Sequence, residues 1–272
     1  MKKALLVIQV LFSLNLFGQP EAKYEVYAIK FAAYNSYFPV SQIAINPPTK
    51  DSARPIIMIW LIKGNNGKNI LVDAGFQRSS SAFTSGIIDY TRPDSALHRI
   101  ELKPEDITDI IITHPHSDHI DGIDLFPSAN LWMQRNDYSY FVGDSWKKEG
   151  DSLDVLKIVQ ANLKGKLHLI DGDSVELFPG IRVFIGSKHT YESQYVMVNT
   201  GKEKIIIASD NIWFYYNLNH MVSIPLTLNT VPYIEQMKRM KRLVNPAFII
   251  PGHDEQIFKK FPEITPGVVQ IK

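Results

Sequence analysis

The stretch Thr113-His114-Pro115-His116-Ser117-Asp118-His119 sets three imidazoles and a carboxylate side by side, directly after the apolar run Ile110-Ile111-Ile112. Neutral imidazole nitrogen and carboxylate oxygen are ligands of zinc and similar divalent ions. Only eight histidines occur in 272 residues, so this density is more than background; the bland alternative is a group of surface histidines in a polar loop. In an extended segment, residues i and i+2 point to the same face. His114 and His116 can therefore reach one ion together. Asp118 and His119 follow where the chain should turn into a helix. They point elsewhere and can serve a second ion, and two metals a few ångströms apart need two such ligand sets.

A catalytic zinc site usually takes three protein ligands and keeps one position open, so further ligands are expected downstream. Three residues qualify, each closing an apolar run. His189 follows Ile181-Arg182-Val183-Phe184-Ile185, Asp210 ends Ile205-Ile206-Ile207-Ala208-Ser209, and His253 follows Ala247-Phe248-Ile249-Ile250. Strand ends are where sites gather in layered α/β folds. Taken singly, a histidine in a turn is usually solvated and an Asp after a strand is usually a turn former; their order and context reverse those odds. Asp73, in Leu71-Val72-Asp73-Ala74-Gly75, follows the same grammar, and is expected to orient neighbouring loops or ligands from behind, with simple turn chemistry the competing explanation.

The elements that must carry these residues can be read from periodicity. Residues 24–32 alternate in part and predict the first strand. Residues 35–54 are turn-rich; with Tyr34, Tyr37 and Phe38 nearby, they form either a substrate loop over the site or a packed surface loop. Residues 56–62 and 70–72 predict a hairpin around Gly64-Asn65-Asn66-Gly67. A helical turn at Pro104-Glu105-Asp106 precedes a strand over 109–113. Residues 151–163 have helical spacing through Leu153, Leu156, Val159 and Leu163. Residues 193–198 and 204–208 predict paired strands. Thr230 is placed to cap a helix running to about Leu243, with Ile234, Met237 and Met240 on its core face.

Lys2-Lys3, the apolar residues 4–17 and Gly18-Gln19-Pro20 form the pattern of an export signal, expected over residues 1–18, with a single domain over 19–272. The apolar stretch is short for a bilayer span, so no stable membrane insertion is expected after cleavage, and the protein should be exported, periplasmic or extracellular. The chain has no cysteine, which excludes disulfides, thiolate ligands, a cysteine nucleophile and a lipidated cysteine anchor. A chain of this length buries a sufficient core without staples. With 29 basic and 28 acidic residues there is no basic excess to favour nucleic acid as a partner; a small-molecule substrate is expected.

Asp73, the block from His114 to His119, His189, Asp210 and His253, in that order, resemble the signature of the metallo-β-lactamase superfamily. The resemblance implies a four-layer αβ/βα sandwich with two divalent metal ions between the sheets, zinc by default, with iron, manganese or cobalt also suited. It implies His114, His116 and His189 at one ion, Asp118, His119 and His253 at the other, and Asp210 bridging. Within the superfamily the chain is most similar to N-acyl homoserine lactone lactonases. Met133-Gln134-Arg135-Asn136-Asp137-Tyr138, Leu177-Phe178-Pro179-Gly180-Ile181, Pro251-Gly252-His253-Asp254 and Phe261-Pro262-Glu263 carry that likeness. Two positions depart from it. Lys188-His189-Thr190-Tyr191-Glu192 stands where Gly-His-x-x-Gly is common. Trp213 stands three residues after the bridging Asp, where the lactonases place a tyrosine that touches the substrate carbonyl. Tyr215 and Tyr216 are possible substitutes, and His220 is a weaker candidate for a substrate contact.

The expected reaction is lactone opening by a metal-bridging hydroxide, with Asp118 carrying the proton to the leaving oxygen. Competing readings are a thioesterase like glyoxalase II, a β-lactamase-like hydrolase, a mononuclear iron dioxygenase of the same fold, and a metal-stabilised binding protein without turnover.

Overall fold

A computed structural model describes residues 23–77, 86–145 and 152–272; the expected export signal lies outside them. Two sheets face each other. The larger runs in the order Glu263–Thr265, Val268–Gln270, Tyr24–Tyr34, Ile56–Gly64, Asn69–Val72, Asp109–Ile111, Asn130–Gln134, Leu167–Ile170, with Ile87–Ile88 also pairing Tyr24–Tyr34. The smaller runs Val175–Phe178, Ile181–Ile185, Gln194–Asn199, Lys204–Ser209, Ile249–Pro251. The predicted hairpin pairs Trp60 with Val72 and Ile62 with Ile70.

Alternation explains the layering. Side chains on a strand point to opposite faces in turn, so a strand covered on both faces reads as continuously apolar. Ile111, with Ile70 and Val72, enters the core shared with Val183, Val196 and Ile207 of the smaller sheet. Ile110, Ile112 and Leu71 face the other way, into a core with Ala96, Leu97 and Ile158. Each such fully buried Ile contributes about 1.5–3 kcal/mol. Beyond the smaller sheet lies the helix Thr230–Leu243, which buries Tyr233, Met237 and Met240. The result is the expected four-layer sandwich, helix, sheet, sheet, helix.

Two details differ from expectation. The helix Ser152–Leu163 forms, but Leu153, Leu156 and Leu163 are exposed; the face that packs is marked by Ile158 and the buried Asp154. The second helix is capped one residue early, by Asn229, whose Oδ1 accepts from the Val231 N–H at 3.0 Å. Asn caps at least as well as Thr, and Thr230 then becomes the first helical residue. No helix among the described residues is long and apolar enough to cross a membrane.

The site follows from strand direction. Asn69–Val72 and Asp109–Ile111 run parallel, as do Lys204–Ser209 and Ile249–Pro251. Asp73, the His114 block, Asp210 and His253 all come just after the carboxyl ends of these strands, where open α/β sheets place their ligands.

Candidate metal centre

The seven candidate ligands gather in two groups. His114, His116, His189 and Asp210 form one, and Asp118, His119 and His253 the other; within each, the ligand atoms lie within 4.8 Å of one another. In the first group His114 Nε2, His116 Nδ1 and His189 Nε2 form a triangle with sides of 3.1, 3.2 and 2.9 Å. A tetrahedral zinc with bonds of about 2.0–2.1 Å holds nitrogens about 3.4 Å apart. Asp210 turns one oxygen to each group. Its Oδ2 lies 3.1 Å from His189 Nε2, and its Oδ1 lies 2.8 Å from His253 Nε2 and 3.4 Å from His119 Nε2. Asp118 Oδ2 is also 3.4 Å from His119 Nε2.

The hydrogen bonds behind the rings decide which nitrogen faces inward as a lone pair. His189 Nδ1 donates to Leu226 O at 2.6 Å, His253 Nδ1 to Ile56 O at 3.1 Å, and His119 Nδ1 to Asp73 Oδ2 at 2.8 Å. A neutral imidazole has one N–H, so each Nε2 is left as an acceptor. In the first group His189 Nε2 therefore turns a lone pair toward His114 Nε2 and His116 Nδ1, and the crowding of three ring nitrogens at 2.9–3.2 Å is an arrangement that a cation relieves. Nε2 of His119 is buried with no hydrogen-bond partner among the described residues. The crowded nitrogens of the first group and the orphaned nitrogen of the second, each beside a carboxylate oxygen, fit a divalent ion in each group.

Electrostatics separate the two groups. Burial and the neighbouring imidazoles hold His114 far below the ordinary histidine value and bring His116 down to about 3. These rings stay neutral and ready to ligate. Burial would lower His119 too, but Asp118, Asp210 and Asp73 outweigh it and hold it well above the usual range. His253 is raised by Asp210 and Asp118 against the same burial. The carboxylates around the second group thus favour positive charge at its centre.

Asp73 braces the centre. Its carboxylate accepts from Thr113 N and Oγ1, Ser209 Oγ and His119 Nδ1, all at 2.8–2.9 Å. Asp73, Lys188 and Ser209, each beside a candidate ligand or its brace, have left-handed backbones with φ of 61°, 59° and 47°; such strain persists only where the surroundings enforce it. Gly252 lets the chain pass close behind Asp210: a Cβ there would lie 2.9 Å from Asp210 Oδ1.

Other tethers carried no signal in the sequence. Asn211 Oδ1 accepts from Ser187 N and Oγ and from Ser193 Oγ, holding the His189 loop against the Asp210 strand. A Cβ at Gly186 would stand 1.9 Å from that same oxygen. Buried Asp137 accepts from Thr190 Oγ1 at 2.7 Å and Glu192 N at 3.0 Å, and burial pushes its carboxyl up to about 6. Asp137 belongs to a stretch quoted for the family likeness, and the spacing alone showed no role for it.

The ligands open on an apolar cavity of about 340 Å³, walled by Tyr34, Phe38, Ile43, Trp213, Phe214 and Leu226 among others. The turn-rich loop thus supplies part of the wall. Trp213 lines the cavity, but its indole N–H donates to Asp210 Oδ2 at 2.7 Å, so it is not free for substrate. Tyr215 is buried beneath, its hydroxyl without a partner among the described residues, and it does not line the cavity. Tyr216 meets Thr49 Oγ1 at 2.9 Å and packs on exposed His220, and neither lines the cavity. His98 is exposed and His168 stacks on Trp132.

Residues 54–253 match the family model of the metallo-beta-lactamase superfamily. The chain belongs to that superfamily. It is a metal-dependent hydrolase. An N-acyl homoserine lactonase of Bacillus cereus is 26% identical over 226 residues, covering 76% of this chain and 86% of that one. A homologue from Bacillus thuringiensis is 24% identical over 227 residues, with the same coverage. A solved N-acyl homoserine lactone hydrolase with N-hexanoyl-L-homoserine at its catalytic metal centre shares the fold, with a TM-score of 0.69 at 20% identity over 90% of this chain and 98% of that one. The dizinc quorum-quenching lactonase AidC gives 0.65 at 18% identity over 91% and 94%.

Proposed function

We propose that this metallo-β-lactamase superfamily hydrolase opens lactones of the N-acyl homoserine type with two divalent ions, zinc first among them. His114, His116 and His189 would hold one ion, Asp118, His119 and His253 the other, and Asp210 would touch both. The observation that supports this most is the orientation of Asp210, one oxygen turned to each ligand group. Such ions, when bound, lower the pKa of a water and polarise a carbonyl oxygen.

The chain supplies the rest. The apolar wall suits an acyl tail, since small-molecule sites are mostly apolar with a few polar anchors. Asp118 faces the cavity; burial would raise its carboxyl, but His119 and His253 pull it below the usual range. It is ionised at neutral pH and placed to accept the water's proton. In the reaction the water oxygen bonds to the acyl carbon, the ring C–O bond breaks, and the proton passes to the freed alkoxide to give a hydroxy acid. The leaving oxygen stays tethered, so no second exit is needed. The signal pattern in residues 1–18 supports action outside the cytoplasm.

The test is hydrolysis of a panel by metal-analysed protein: acyl homoserine lactones of several lengths, a simple γ-lactone, a thioester and a cephalosporin. Preferred lactone opening, abolished by chelation and restored by metal, is the expected result. Turnover of the thioester or cephalosporin alone would refute the lactone assignment.

A further inference from the structure

We infer that the phenol of Tyr34 donates its hydrogen to the carbonyl oxygen of the acyl group under attack, an inference that rests on the lactone reading above. Trp213 spends its one N–H on Asp210. The hydroxyl of Tyr215 is shut in the interior, and that of Tyr216 is engaged with Thr49. On the cavity wall outside the candidate ligands, the side-chain polar groups with no hydrogen bond among the described residues are the Tyr34 hydroxyl and the Gln42 carboxamide. Gln42 is solvent-exposed, whereas Tyr34 is half-buried against Phe38, with ring centroids 5.1 Å apart.

Tyr34 is also held in place. It ends the strand Tyr24–Tyr34, pairs with Ile87, donates its backbone N–H to Pro55 O at 3.0 Å, and its backbone carbonyl accepts from Arg54 Nε at 2.8 Å. The Tyr34 hydroxyl is not among the buried unpartnered atoms, so it stays open to the cavity, and a ligand's carbonyl oxygen can take the place of water on it. Burial and the nearby Asp118 carboxylate both raise its pKa, so it keeps its proton at neutral pH. A carbonyl oxygen has two lone pairs, so accepting from the phenol leaves one free. Such a donor strengthens its bond as negative charge grows on that oxygen.

The test compares wild type, Tyr34→Phe and Tyr37→Phe, each loaded with two equivalents of zinc. Tyr37 is exposed and bonds Glu255 outside the cavity, so its variant should match wild type. For N-hexanoyl homoserine lactone, Tyr34→Phe should lower kcat/KM about 10- to 100-fold, chiefly through kcat, with metal content unchanged. The matching lactam, which resists opening, should bind about 5- to 10-fold more weakly. Rates and lactam Kd within twofold of wild type would overturn the inference. Wild-type protein that opens no lactone would refute the proposed substrate rather than the phenol. The lactam then decides Tyr34 alone, and equal affinity or no binding overturns it.

Discussion

Replacing Asp73 with Asn tests whether ring orientation, rather than charge alone, prepares the second ligand group. Asn has the same shape and tolerates the left-handed φ of 61° at this position. It has, however, one acceptor oxygen where Asp73 uses two: Oδ1 takes the Thr113 N–H, and Oδ2 takes Thr113 Oγ1, Ser209 Oγ and His119 Nδ1. If the Asn oxygen stays with Thr113 N, its NH₂ faces the two hydroxyls and His119. The hydroxyls can rotate to accept. His119 can accept at Nδ1 only by moving its proton to Nε2, which removes the inward lone pair. If the amide flips, its NH₂ opposes the Thr113 N–H, and a buried donor is left unpaired at about 1–3 kcal/mol. The first outcome is the cheaper in stability and falls on metal binding. Loss of a bracing partner behind a ligand typically costs about 10- to 100-fold in affinity, or about 1.4–2.7 kcal/mol. Zinc titration against a competing chelator, with thermal melting in parallel, measures both. The account predicts a folded protein that binds its second zinc at least tenfold more weakly. A variant with unaltered affinity for both ions and unaltered Tm would refute the tautomer argument.

Three further outcomes follow from the same geometry. Gly186→Ala drives a Cβ into Asn211 Oδ1 and frees three buried donors; a loss of about 3 kcal/mol should lower Tm by about 6–12 °C, and a Tm within 2 °C of wild type would contradict it. Trp213→Phe keeps the ring but removes the N–H on Asp210 Oδ2; zinc should dissociate about 10- to 100-fold more readily while far-UV circular dichroism is unchanged, and wild-type retention would remove Trp213 from the account. Because His119 and His253 are pulled up by the carboxylates around them, an entering ion must displace their protons. The sign is therefore that affinity falls as pH falls; log K for the more weakly held ion should rise about one to two units per pH unit near neutrality, and a pH-independent affinity would contradict the shifts.

What was legible in the sequence was what periodicity and ligand chemistry can express. Ile110-Ile111-Ile112 reads as a strand buried on both faces because both faces are covered. Its successor block can be recognised because ligand residue types are rare and their spacing is short. Distant partners were found by a shared grammar of apolar run and then ligand, which works because the strands end at one edge. Orientation was not legible. Tyr215 opens the short helix Tyr215–His220, and helical spacing puts it with Leu218 on the buried side, so its nearness in sequence to Asp210 misled. Trp213 reaches the cavity, but its proton goes to a carboxylate three residues away, a bond that no pattern announces. Asp137 and Asn211 act through loops remote in sequence, and a single polar residue carries no periodicity. The exposed Leu153, Leu156 and Leu163 show the converse, an apolar stripe that the fold does not cover.

The central claim is that two ions share Asp210 and that hydrolysis needs both. Apoprotein prepared by chelation should be titrated with zinc while opening of N-hexanoyl homoserine lactone is followed at each equivalent, in wild type and in Asp210→Asn. The account predicts activity that reaches its plateau at two equivalents in wild type, and a variant that loses metal and turnover together. A wild-type plateau at one equivalent, turnover that survives complete chelation, or full activity with two bound ions in Asp210→Asn would contradict it.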